Sequence, residues 1–171
     1  VADHQMRIFF SGDRLAVEDV GGCNGVSVRL RGEREISPGG EVRIGRQRLV
    51  IDPIPPINSA DDGAIAWGSP DGGYRFRMLQ ILEGGVRGGA FLLKDGDNLV
   101  GRESGDITFP TDGFVSGKHA IIHVAPHKVG VKDLGSSNGT FVRLNGPTFV
   151  DHGDQLLIGR QLVRIELSSR T

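Results

Sequence analysis

Residues 17–51 read "VEDVGGCNGVSVRLRGEREISPGGEVRIGRQRLVI", and residues 131–165 read "VKDLGSSNGTFVRLNGPTFVDHGDQLLIGRQLVRI". An offset of 114 residues aligns the two without a gap, and 15 of the 35 positions are identical. The matches include Asp19/Asp133, Asn24/Asn138, the "VRL" triplets, Gly39/Gly153 and "IGRQ" at 44–47 and 158–161. Such a match marks two copies of one fold. In both copies short alternating runs of Val, Ile, Leu and Phe are cut by Gly, Asn, Asp and Pro. That is the pattern of antiparallel strands joined by tight turns. The rest of the chain repeats it, as in "RFRMLQIL", "NLVGR" and "HAIIHV". No segment keeps a 3.6-residue apolar stripe over three turns. The expected class is all-β, an antiparallel β-sandwich with a second, partial sandwich repeat.

The repeat is lopsided. Residues matching 75–114 would have to lie ahead of Val1. We therefore expect 1–55 to be the C-terminal portion of a degenerate unit, 75–169 to be a whole unit and 56–74 to be a linker. The join, "DPIPPINSADDGAIAWGSPDGG", is rich in Pro, Gly and Asp. Its apolar stretch, "AIAW" at 64–67, is a candidate for packing on a neighbour. Half a sandwich leaves an apolar face and an unpaired strand edge. Upstream residues, or association with another module or chain, are expected to complete it. The chain lacks an initiator Met, so its N-terminus is expected to be processed or cut from something longer.

The net charge is −1 and the pI about 6.6, so no global field draws in nucleic acid or an anionic membrane, and neither is an expected partner. Cys23 is the single cysteine, which rules out an internal disulfide. It is compatible with a reducing cytosol, and a cytoplasmic location is expected. No apolar run approaches the roughly 20 residues of a membrane span.

Three elements of the second unit carry the chemistry. "LVGRESGDITFP" holds Arg102, "DGFVSGKHA" holds Ser116, Gly117, Lys118 and His119, and "DLGSSNGT" holds Ser136, Ser137, Asn138 and Thr140. All three fall at strand ends or turns, where sandwiches place their functional groups. Together they offer a guanidinium, an ammonium, hydroxyls, an amide and Gly-rich backbone, a set suited to an oxyanion. Charge-assisted bonds of this kind contribute about 1.5–3 kcal/mol each.

"GR", then "SGKH", then "DLGSSNGT", in this order and spacing, resembles the forkhead-associated (FHA) domain family across roughly 75–169. The 1–55 segment resembles the later strands of the same domain. The resemblance implies an 11-stranded β-sandwich whose loops bind phosphothreonine peptides. Carried over by position, it implies that Arg102 and Ser116 contact the phosphate and that Ser137 helps them. Backbone N–H groups near Ser116 and Gly117 would complete the cradle, and Asn138 would hold the peptide backbone. His119 is similar to the family histidine that buttresses the loops. Gly117 stands where many members have Arg or another large residue, with Lys118 beside it. The 103–114 and 125–129 loops would read flanking residues. A Ser/Thr kinase or its substrate is the implied partner, and no cofactor is implied.

Plainer readings stand beside these. Asn138-Gly139 is a strong hairpin turn signal in its own right. Ser137 reads equally as a turn residue, and Lys118 as a solvated charge. "GR" recurs at 45–46 and 159–160, where it belongs to a repeated closing strand. His119, His123 and His127 lie four apart, but on a strand that is about 13 Å, too far to share a zinc held at about 2 Å. "DGFVSGKHA" misses the phosphate-binding P-loop at Asp112 and His119 and lacks its strand–loop–helix setting. No nucleophile elbow is present. We expect a non-enzymatic phosphothreonine-reading module in kinase-linked signalling or scaffolding. The alternative is a phosphate-independent assembly protein of tandem units. Within the chain, Ala2, Gly22, Cys23 and Val26 stand where the second copy has Ser116, Ser136, Ser137 and Thr140. The first copy keeps the turn frame and drops the hydroxyls.

Overall fold

The computed structural model describes residues 5–57 and 61–168. These form sixteen strands and one short 3-10 turn at Glu83–Gly85. In the first repeat lie β1 (Met6–Ser11), β2 (Arg14–Asp19), β3 (Val26–Arg29), β4 (Glu33–Ile36), β5 (Glu41–Ile44) and β6 (Gln47–Pro53). After the join come β7 (Phe76–Ile81), β8 (Arg87–Leu93), β9 (Gly96–Gly101), β10 (Ile107–Thr108), β11 (Ala120–Ala125) and β12 (Lys128–Asp133). The chain ends with β13 (Thr140–Arg143), β14 (Thr148–Phe149), β15 (Gln155–Ile158) and β16 (Gln161–Arg164). Nearly every pairing is antiparallel, and β10 alongside β9 is the parallel one. No helix among the described residues is long and apolar enough to cross a membrane.

The strand pairing crosses the boundaries that the repeat draws in sequence. One sheet runs β10-β9-β11-β12-β4, and the facing sheet runs β16-β15-β3-β13-β5-β6-β7-β8. The strands between 76 and 143 are thus closed by β4, β5 and β6 of the first repeat. Reciprocally, β14 pairs with β2, and β15 pairs with β3. The two repeats have exchanged their closing strands. Every register survives the exchange: Arg34 faces Val131 as Thr148 faces Val17, and Val42 faces Val142 as Leu156 faces Val28. The chains cross between β3 and β4 and between β13 and β14. There Leu30 N–H donates to Thr140 O (2.8 Å) and Leu144 N–H to Val26 O (2.8 Å), two bonds that the 114-residue offset turns into each other. Exchange of matched elements costs little when each acceptor sees the same side chains.

Two cores result. The larger joins Ile36, Val42, Ile44, Leu49 and Ile51 of the first repeat to Met78, Leu93, Val100, Ile122 and Val131 of the second. Ten strands enclose it, one fewer than the family resemblance implies. The smaller gathers Val17, Val26, Val28, Leu144, Val150, Leu156, Ile158 and Ile165. Among the described residues it is open on one side. In the larger sandwich β11 pairs with β9, and β6 with β7. Their counterparts β1 and β16 have no strand on those edges among the described residues. Ile8 and Phe10 are accordingly 51% and 70% exposed, whereas their equivalents Ile122 and Val124 are at 0% and 2%. In the join, Trp67 is 98% exposed, so "AIAW" packs on neither unit.

Candidate functional site

The three sequence elements meet at one end of the larger sandwich. β9, β11 and β12 lie in adjacent order, so the residues after Gly101, those before Ala120 and those after Asp133 emerge close together. Ser116 joins them. Its carbonyl accepts from Arg102 N–H (2.9 Å), and its Oγ accepts from Ser137 N–H (3.2 Å). Asn138 Nδ2 donates to Phe114 O (2.9 Å). Approach is tight enough to require glycine at 101, where a Cβ would sit 2.1 Å from Gly117 O. Gly117 and Lys118 are exposed and Ser116 is half-buried. The Arg102 side chain is 39% exposed, but its Nε is buried and has no hydrogen-bond acceptor. Glu103 Oε1 lies 3.3 Å from that Nε, an ion pair at the surface that makes no hydrogen bond with it.

Beneath the loops His119 is wholly buried. Its Nδ1 accepts from Ser116 N–H (3.0 Å), which leaves the proton on Nε2 to be donated to Gly139 O (3.1 Å). Burial pushes its pKa down, against the pull of the Gly139 carbonyl and of Asp133. The ring is therefore a neutral brace between two loops. It also takes the Ser116 N–H expected in the phosphate cradle. Gly117 N–H remains, bonded to no described residue.

Asp133 organises the third loop. Oδ1 accepts from Gly135 N–H and Ser136 N–H (both 2.8 Å), and Oδ2 from the Ser136 and Thr140 hydroxyls (both 2.7 Å). Ser136 Oγ in turn accepts from Gly139 N–H (3.0 Å). Burial alone would raise the Asp133 carboxyl, but these bonds outweigh it and hold it below the ordinary carboxylate range. Ser136 and Thr140 are buried, and their hydroxyls serve this network.

The first copy shows how the network is simplified. Gln5 stands where the second has His119, and its Nε2 donates to Gly25 O (3.2 Å), the equivalent of Gly139 O. A Cβ on Gly22 would lie 2.8 Å from that Nε2, so the longer Gln fills the room a serine hydroxyl would need. Asp19 accepts from Gly21 N–H (3.0 Å) and from Val26 N–H (3.1 Å) in place of a hydroxyl. Ala2 lies outside the described residues. The shared glycine and arginine have a mutual role. Gly139 (φ +79°) and Gly25 (φ +63°) each leave room where a Cβ would fall 2.3 Å from the Nε of Arg29 and Arg143 respectively, the arginine of the other copy.

Sequence reasoning missed a fourth contributor, the β5–β6 turn. Asp112 Oδ2 accepts from Arg46 N–H (2.8 Å) and Gln47 Nε2 (2.7 Å), and Oδ1 from Phe114 N–H (3.0 Å). Burial would raise the Asp112 carboxyl, but these bonds, with Gln47 foremost, hold it low. The Arg46 guanidinium lies 4.6 Å from the Phe114 ring centroid. "GR" at 45–46 was legible as part of a repeated closing strand, but its position in a turn beside 109–119 follows from the strand exchange. Away from the site, His123 is half-exposed and bonded to Asp97 (2.6 Å), while His119 faces the core.

Residues 98–159 match the family model described as "FHA domain". The chain is also similar to the FHA domain-containing protein FhaB of Mycobacterium tuberculosis, in strains CDC 1551 / Oshkosh and ATCC 25618 / H37Rv. Each comparison gives 28% identity over 92 residues, covering 52% of this chain and 59% of the relative. The chain thus spans about three fifths of these relatives' length.

Proposed function

We propose, from the premise that residues 98–159 carry an FHA domain, a protein-interaction module, that this end of the larger sandwich reads phosphothreonine in a partner protein. The observation that carries the reading is Arg102, whose buried Nε donates no hydrogen bond among the described residues and is ion-paired to the exposed Glu103 alone, held against Ser116 at the meeting of three loops. Arg102 and Ser116 Oγ bind the phosphate, Gly117 N–H fills a further lone pair and Ser137 assists. Asn138 fixes the extended peptide through the amide valences that Phe114 leaves open. Lys118 raises the local attraction for an anion of about −1.5 to −2 charges. No step of this mechanism breaks or makes a covalent bond. The partner is a phosphothreonine protein such as a Ser/Thr kinase or its substrate, met in the cytoplasm, where the exposed thiol of Cys23 stays reduced.

Titration of phosphothreonine peptides by fluorescence anisotropy tests this, with unphosphorylated peptides as controls. Binding tighter than millimolar is expected, weakening with salt and below about pH 6 as the phosphate gains a proton. Arg102→Ala and Ser116→Ala are expected to abolish it with melting temperatures retained. Unchanged binding in both variants would falsify the reading. One observation favours a second function, phosphate-independent assembly: the uncovered Ile8 and Phe10 on β1. Concentration-dependent sedimentation that Phe10→Ser removes would support it.

A further inference from the structure

We propose that Arg46, supplied by the first repeat, reads an acidic side chain flanking the phosphothreonine. This rests on the phosphopeptide reading above. The strand exchange is what brings Arg46 there: β5 and β6 close the larger sandwich, so their connecting turn meets the 109–119 loop. The turn is pinned. Arg46 N–H and Gln47 Nε2 both donate to Asp112, and Gly45 (φ +58°) sits where a Cβ would be 2.7 Å from Val115 Cγ2. From that fixed backbone the guanidinium lies over the Phe114 ring.

Arg46 is exposed, and its guanidinium forms no ion pair among the described residues. The Asp112 charge is felt by Arg46, but that carboxylate is 5% exposed, is engaged by three N–H donors and forms no ion pair with the guanidinium, which leaves the fork's own donors open. Phe114 also bonds to the peptide-holding residue, its carbonyl accepting from Asn138 Nδ2. A peptide laid along Asn138 therefore passes beside Phe114 and within reach of the guanidinium. A planar donor fork, stacked on an aromatic and turned to solvent, fits a carboxylate. The equivalent arginine of the second repeat, Arg160, is paired with Glu83 (2.9 Å), so the open fork is particular to Arg46.

The test is anisotropy on the full chain with a phosphothreonine peptide whose flanks are alanine. Derivatives carry Asp at each of the three positions on either side. Asp at one or two positions on one side is expected to tighten binding about two- to five-fold, the size of one exposed ion pair. Arg46→Glu is expected to reverse that preference toward Lys at the same position, and Arg46→Lys to retain part of it. Melting should change little, because the Asp112 bonds are made by backbone and by Gln47. A wild-type protein indifferent to Asp, or an acidic preference surviving in Arg46→Glu, overturns the proposal while leaving phosphopeptide binding intact. Failure of every phosphothreonine peptide to bind overturns the underlying reading, and this proposal with it.

Discussion

Val28 and Val142 face each other across β3 and β13, and they are the same residue of the two repeats. Their neighbours, Phe141 opposite Arg29 and Arg143 opposite Ser27, interchange under the same offset. A local two-fold axis thus passes through this pair, and the chain crosses on either side of it. Symmetry of this kind lets either repeat accept either set of closing strands.

The exchange is open to direct test. Arg48 and Ile81 are partners on β6 and β7. In a Cys23→Ser background, Arg48→Cys with Ile81→Cys is expected to oxidise to an intramolecular disulfide. Leu162 is the repeat equivalent of Arg48, but β16 lies six strands from β7, roughly 29 Å at normal strand spacing. Leu162→Cys with Ile81→Cys should stay reduced, and the opposite outcome would mean unexchanged repeats.

His119 gives the fold a pH dependence. Burial keeps it neutral in the folded protein, while the unfolded chain takes up a proton near the ordinary 6.5. Below that pH the unfolded state binds more protons, so stability declines from about pH 6.5 down through the depressed folded value. His119→Ala is expected to cost about 2–4 kcal/mol. His119→Gln, which copies Gln5, should cost less and flatten the decline. Urea midpoints measured between pH 5 and pH 8 read both effects.

Thr140→Val copies Val26 of the first repeat. It removes a buried hydroxyl from Asp133 while keeping the shape, and should destabilise by about 1–2 kcal/mol. The depressed Asp133 carboxyl contributes stability above the ordinary 3.8 that is lost as pH falls through its folded value. With one bond fewer the depression shrinks, so acid unfolding of the variant should begin at higher pH. Circular dichroism during acid titration checks this.

The open half predicts unequal costs at equivalent sites. Phe10→Ser should change stability by about 0.5 kcal/mol or less, because the ring is already in water. Val124→Ser puts a hydroxyl into a sealed core and should cost about 3 kcal/mol. Equal costs in chemical denaturation would mean that β1 is covered in solution.

Class and loop constellation were legible because alternation, turn residues and the 114-residue offset are local or pairwise properties of sequence. The exchange was not, because "IGRQ" at 44–47 and at 158–161 fits both acceptors in the same register. For the same reason Arg46 read as part of a repeated closing strand and Asp112 as a defect in a phosphate loop. Their partnership depends on which repeat receives β5 and β6. Ser136 and Thr140 were marked by their loss in the first copy, and the structure assigns that loss to the Asp133 network. Gly22 shows the same logic in reverse, since Gln5 occupies the room its missing side chain would take.

The crossing strands also determine what a cut in the join would do. A protease acting near Gly63 would sever one polypeptide into two, yet β3–β13, β12–β4 and β6–β7 would still clasp the pieces. The nicked protein would migrate as two bands under denaturing conditions and as one particle under native ones. The repeats therefore behave as a tethered heterodimer, in which the tether sets effective concentration and the strands hold the union.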